Sequence, residues 1–168
     1  PTGGLDWSGE GRGNAHLSGW FVIDNCSYNE TSLNSIKLRF EQYCEGKESR
    51  RESRLNGIIN WNSRNELIAS ASLIIPDNLW QPKCELLSKT GNFICLESTS
   101  GDYIGRGKSY LYTDSDAVIK VTSNGNFFSI SINGDEYWSG DFKLPDNYSK
   151  LETGYYPNLM RYPFHNPR

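Results

Sequence analysis

The two-residue alternation of apolar and charged side chains in Ile36-Lys37-Leu38-Arg39-Phe40-Glu41 constrains this chain more than any other feature. Successive side chains of a strand point to opposite faces, so Ile36, Leu38 and Phe40 are expected inward and the charges outward. The same period places Leu17, Gly19, Phe21 and Ile23 on one face, with Trp20 and Val22 on the other. Residues 117–121 and 127–132 read as two apolar strands around Ser123-Asn124-Gly125. Asn-Gly is a strong hairpin signal because both residues tolerate positive φ. Asn133-Gly134-Asp135 repeats the device before Tyr137-Trp138. Further strands are expected at 55–61, 67–74, 92–97 and 109–113. About nine short strands between turn signals predict an all-β fold, an antiparallel β-sandwich or barrel.

A chain of 168 residues suffices for one domain with a substantial core. Its net charge of −3 gives no general attraction for phosphate backbones or anionic lipid, so neither nucleic acid nor membrane is an expected partner. No apolar run approaches the roughly 18 residues of a membrane span. No signal-peptide pattern is present, which fits a mature or excised chain. Residues 63–79, with Pro76-Asp77-Asn78, read as a connector between residues 1–62 and 80–168. Glu48 to Arg54 reads as a charged hairpin tip, a solvated loop in which Arg50-Arg51 is a protease-sensitive spot.

Four cysteines allow two bridges in three pairings, of which Cys26–Cys44 with Cys84–Cys95 is favoured. Cys84 and Cys95 flank the turn Lys89-Thr90-Gly91-Asn92. Glycosylation acceptors stand at Asn25, Asn29 and Asn147. Together these features point to an extracellular, secreted setting.

The string Tyr162-Pro163-Phe164-His165-Asn166-Pro167-Arg168 reads directly into Pro1-Thr2-Gly3-Gly4-Leu5-Asp6-Trp7-Ser8-Gly9-Glu10-Gly11-Arg12-Gly13. The joined string resembles the middle of a repeat unit of secreted bacterial tandem-repeat proteins without an assigned activity. There a segment of the YPFHNP type runs on into one of the GLSWSGEGRG type. Leu79-Trp80-Gln81-Pro82, Gly101-Asp102-Tyr103-Ile104-Gly105-Arg106-Gly107, Tyr137-Trp138-Ser139-Gly140-Asp141-Phe142 and Arg39-Phe40-Glu41-Gln42-Tyr43-Cys44 extend the likeness over most of the chain. The resemblance implies a circularly permuted unit, with residues 1–62 its second half and 80–168 its first, and with chain ends close in space. It also implies a cysteine where Asn14 stands, so that a relocated Cys26–Cys44 bridge would restore the cross-link.

No catalytic or cofactor motif emerges. In Gly101 to Ser109 the phosphate-loop pattern requires glycine where Asp102 stands, and Tyr110-Leu111-Tyr112 continues as strand. Gly9-Glu10-Gly11-Arg12-Gly13 lacks the preceding strand and the spacing of a dinucleotide fingerprint. His16 and His165 have no recognisable triad around them. Paired cysteines would not serve as nucleophiles. Asp6, Glu10, Asp102, Asp135, Glu136 and Asp141 are candidate carboxylates for glycoside hydrolysis, though most sit beside glycine or in turns, where Asp bonds its own backbone. Asp114-Ser115-Asp116 offers oxygens to calcium but lacks the glycine and distal Glu of a helix-loop-helix site, so no metal site is assigned.

Aromatics are more suggestive: of five Trp, ten Tyr and seven Phe, core filling accounts for most, Phe21, Phe40 and Phe128 among them. Tyr155, Tyr156, Tyr162 and Phe164 lie in a Gly/Pro-rich stretch without alternation, and with Trp7 and Trp138 they are the candidate ligand surface. The expectation is a disulfide-stabilised, non-enzymatic structural or binding module without cofactor. Its candidate partners are a second copy, joined head to tail or by exchange of halves, and glycans bound by a Tyr/Trp surface. A carboxylate-dependent glycoside hydrolase ranks third.

Overall fold

The computed structural model describes residues 3–13, 16–44, 53–63, 75–83 and 91–162. Eleven strands run through them: β1 (Gly4–Gly9), β2 (Leu17–Asn29), β3 (Ser32–Cys44), β4 (Arg54–Asn62), β5 (Phe93–Ser98), β6 (Ser109–Thr113), β7 (Val118–Asn124), β8 (Phe127–Asn133), β9 (Tyr137–Lys143), β10 (Gly154–Tyr156) and β11 (Met160–Arg161). They form a first sheet in the order β11-β1-β9-β8-β7 and a second in the order β10-β2-β3-β4-β5-β6. All ladders are antiparallel except that of β1 with β11. Neither sheet closes on itself, so the architecture is two packed layers and not a barrel.

The predicted alternation builds the core between the layers. Phe21, Ile23, Leu38, Phe40, Ile59, Ile94 and Leu96 of the second sheet meet Leu5, Trp7, Phe128, Ile130, Trp138 and Phe142 of the first. Trp7 lies 4.7 Å from Phe40 between ring centroids, and Phe21 meets Phe142 edge-on at 5.5 Å. Three large rings lie over glycines directly across a ladder: Trp7 on Gly140, Trp138 on Gly9 and Phe40 on Gly57. A Cβ at those glycines would sit 2.1, 2.3 and 2.2 Å from the ring opposite. The rings fill the space that the missing side chains leave, and the glycines fix where they lie.

The β7–β8 hairpin is present, but its turn is shifted by one residue from the Asn-Gly expectation. Asn124 pairs with Phe127, so Gly125-Asn126 are the central residues, and Gly125 has φ +55°. Glycine in first place is what a II′ hairpin requires. Asn126 is held by its amide, which donates to the carbonyls of Leu144 and Pro145.

Strands from both chain segments interleave in each sheet: β1 lies against β9 and β11, β10 against β2, and β4 against β5. Gly4 pairs with Met160, so the segments nearest the two chain ends run alongside each other. Residues 80–83, just past the connector, lie over the outer face of the second sheet. There Arg39, fixed by Asp24 at 2.7 Å, donates to the Trp80 carbonyl at 2.8 Å. Glu97 accepts from the Lys83 amide at 2.7 Å and the Trp80 indole at 3.3 Å. Arg39 and Glu41 are nonetheless buried on that face, as are Trp20 and Val22. The strand expected at 67–74 and Arg50-Arg51 lie outside the described residues.

The Cys26–Cys44 bridge is ruled out. Cys26 is a free thiol. In the β2–β3 ladder Cys26 faces Ile36 whereas Cys44 faces Leu17. Eight residues of strand, about 27 Å, separate the two ladder positions, and a disulfide spans only about 4.4–6.8 Å between Cα atoms. Burial pushes the Cys26 thiol pKa up. Cys95, buried in β5, is disulfide-bonded. Cys84 and the side chain of Cys44 lie outside the described residues.

Candidate functional site

The aromatic surface expected from the sequence does not exist as one surface. Trp7, Trp138 and Tyr156 are buried in the core, because each falls on the inward parity of its strand. Tyr156 donates its hydroxyl to the Glu152 carbonyl at 2.7 Å, and burial raises its pKa. Tyr155 points the other way, its ring tilted against Trp20 at 6.1 Å on the outer face of the second sheet. Tyr162 packs on Phe127 at 5.3 Å on the outer face of the first sheet. Phe164 and His165 lie outside the described residues. Among the described residues the exposed rings are Tyr103 at 62% and Tyr137 at 49%, neither of which was expected on the ligand surface.

Four of the six candidate carboxylates do structural work at the loop end of the layers. Asp102 is buried and accepts from the Gly105 amide at 2.6 Å and the Ser98 hydroxyl at 2.8 Å, so its own carboxylate occupies the loop once compared with a phosphate cradle. Glu10 accepts from the Tyr137 amide at 2.6 Å. Glu136 pairs at 2.8 Å with buried Arg12, which also donates to the Ile104 carbonyl and lies over the Trp138 ring. Asp135 accepts from the Tyr112 hydroxyl at 2.7 Å, a bond that lowers the Asp135 pKa. Asp116 caps its turn by accepting from the Thr113 amide at 2.7 Å. Among the described residues no three His, Cys, Asp or Glu side chains are grouped to hold a metal.

The remaining two carboxylates meet. Asp6 of β1 stands directly opposite Asp141 of β9 on the outer face of the first sheet. The register makes this face a set of rows crossing the strands. Thr122, Ser129, Asp141 and Asp6 form one row, and Lys120, Ser131, Ser139 and Ser8 the next. Val118, Asn133 and Tyr137 flank them on one side, and Asn124, Phe127 and Lys143 on the other. Within the rows Ser129 donates to Asp141 at 2.7 Å, and the Ser8 and Ser139 hydroxyls are 3.1 Å apart. The face thus carries hydroxyls and two acids between aromatic rings, on strands whose other side is the core.

Asp6 is the electrostatically tense member. Its Oδ1 is buried without a hydrogen-bond partner, while Oδ2 lies 3.7 Å from Arg161 Nε. Burial raises its pKa above 3.8, the Arg161 charge opposes the rise, and the Asp141 carboxylate adds to it.

The acceptor tripeptides differ in accessibility. Asn29 and Asn147 are exposed, whereas Asn25 is only 8% exposed and leaves little room for a glycan in the folded chain. No family model, curated protein or solved structure matches this chain.

Proposed function

We propose that the chain is a non-enzymatic, secreted binding module that presents the outer face of its first sheet to saccharides. The observation that carries this reading is the pair of hydroxyl- and carboxylate-bearing rows, Thr122-Ser129-Asp141-Asp6 and Lys120-Ser131-Ser139-Ser8. Serine hydroxyls donate and accept, and a carboxylate adds acceptors, which suits ligands dense in hydroxyl groups. Tyr137 and Tyr162 border the rows and offer amphipathic rings to the apolar face of a sugar. Side chains based on strands are held more precisely than side chains on loops. A disulfide at Cys95, with Cys84 its proposed partner, and the exposed acceptors Asn29 and Asn147 support an oxidising, extracellular setting and a disulfide-stabilised sandwich. The interleaved strands support descent from a tandem-repeat unit.

The reading is tested by binding wild type and the variants Ser131→Arg and Ser139→Arg to an array of neutral oligosaccharides. Both substitutions place bulk on the outer face without touching the core. Loss of the wild-type signal in both is expected. Wild-type signal retained by both, or absent from the wild type, contradicts it.

The Asp6–Asp141 adjacency also suits a retaining hydrolase, whose two carboxyls are about 5–5.5 Å apart. Acid and nucleophile must flank the scissile bond, however, and these two rise from one face in the same direction. Nitrophenyl glycoside assays separate the readings: turnover abolished by Asp141→Asn favours the hydrolase, and binding without turnover favours the module.

A further inference from the structure

The free edges of the two sheets are unequal. Natural sheets blunt their edges with short strands, charged side chains (lysine above all), proline, bulges or inward charges, and of these β7 carries a single lysine. β11 has two residues, β10 three and β6 five. β7 has seven, Val118–Asn124, all in unbroken register with β8. It is the terminal strand of its sheet, and among the described residues no strand pairs with its other side. It contains no proline, and Val118, Ile119, Val121 and Thr122 are β-branched. Ile119 and Val121 face the core yet remain partly exposed, and Val118 is 58% exposed. Its single charge, Lys120, points outward in the row of Ser131.

We infer that β7 is an interaction surface for a second copy of this chain, the two β7 strands pairing antiparallel about a two-fold axis at Val121. Two properties of the strand select this occupant. The register centred on Val121 is the one that pairs all seven residues, because Val121 is the midpoint of Val118–Asn124. The same register sets Lys120 opposite Thr122 of the second copy, so no like charges meet. Centring on Lys120 instead would set ammonium against ammonium, which destabilises a ladder. A two-fold axis perpendicular to the sheet keeps both outer faces on the same side, and the contact closes as a dimer. The Lys120-Ser131-Ser139-Ser8 row of one copy then continues into the Thr122-Ser129-Asp141-Asp6 row of the other. The product is one ten-stranded sheet with a doubled polar face. The inference stands on the edge geometry and is independent of what that face binds.

The test is sedimentation equilibrium of the full chain across a concentration series, with three sequences compared. Wild type is expected to move from monomer to dimer and no further. Thr122→Lys sets two Lys–Lys pairs across the axis and is expected to weaken dimerisation by about tenfold or more. Adding Lys120→Glu to Thr122→Lys converts both into Glu–Lys pairs and is expected to restore the dimer. Lys120 and Thr122 are exposed, so circular dichroism is expected to be unchanged throughout. A wild type that stays monomeric at millimolar concentration overturns the inference. So does a dimer indifferent to Thr122→Lys, or one that the second substitution fails to restore.

Discussion

The side-chain amide of Gln42 bridges the two layers by bonding both backbone groups of Trp7. Its Oε1 accepts from the Trp7 amide at 2.9 Å and its Nε2 donates to the Trp7 carbonyl at 3.0 Å. β11 pairs only with Gly4 and Leu5 of β1, so beyond them no strand among the described residues lies beside the edge of β1. Gln42, buried at 1% exposure, supplies from the opposite sheet the donor and acceptor that a strand would supply. Buried backbone groups are costly to leave unpaired, and one glutamine satisfies two of them.

Gln42→Ala is therefore expected to lower unfolding free energy by about 2–4 kcal/mol, since two buried backbone groups lose their partners. Gln42→Glu keeps an acceptor for the Trp7 amide but sets a carboxylate against the Trp7 carbonyl. Its loss should exceed that of Gln42→Ala at neutral pH and shrink on acidification. Urea unfolding at two pH values checks both, and a loss below half a kcal/mol for Gln42→Ala would remove the bridge from the energetics.

The ring-on-glycine pairs give a second prediction. Gly140→Ala places a Cβ about where Trp7 Cε3 lies, 2.1 Å away by ideal geometry. Overpacking of this kind costs about 1–3 kcal/mol. Trp7→Leu makes room, so the double variant should lose less than the sum of the two single losses. Denaturation midpoints of the four proteins check this, and simple additivity would contradict it.

These pairs also show what the sequence carried and what it hid. Leu5-x-Trp7-x-Gly9 and Trp138-x-Gly140-x-Phe142 have the inward period of two, the same signal that placed Phe21, Leu38 and Phe40 correctly. Followed through, it would have put Trp7 and Trp138 in the core and Ser8, Ser139 and Asp141 outside. Tyr155 and Tyr156 sit on a strand of three residues, too short for a period to be legible, so their opposite directions were hidden. The meeting of Asp6 with Asp141 depends on a register between strands far apart in sequence, which no local pattern encodes. The cover over Arg39 depends on Trp80, distant in sequence, reaching its side chain.

Asp6 predicts a pH dependence. Its folded pKa is raised, chiefly by burial, so the folded state holds the proton more tightly than the unfolded state does. Ionised Asp6 therefore subtracts stability, by an amount that grows as pH rises from the ordinary value of 3.8 through the folded pKa. Asp6→Asn should raise the denaturation midpoint at pH 7, with a gain that fades below the ordinary value. A variant less stable than wild type at pH 7 would show that the Arg161 contact outweighs burial.

With Cys84 joined to Cys95, both Cys26 and Cys44 are expected to react with iodoacetamide in the unreduced, unfolded protein. In the folded protein the reaction of Cys26 should be slower, since its thiol is half-buried and its pKa raised. Peptide mapping without reduction should join Cys95 to Cys84 and leave Cys26 alkylated. A peptide linking Cys26 to Cys44 would contradict the ladder register itself.

The most direct measurement is amide chemical-shift mapping of the labelled protein, titrated with the neutral oligosaccharide that scores highest on the array. Binding on the outer face of the first sheet predicts that the perturbed amides cluster at Ser8, Ser129, Ser131, Ser139 and Asp141, with those of β3 and β4 unmoved. Perturbations confined to the loop around Tyr103 or to the second sheet, or none at saturating sugar, would contradict it.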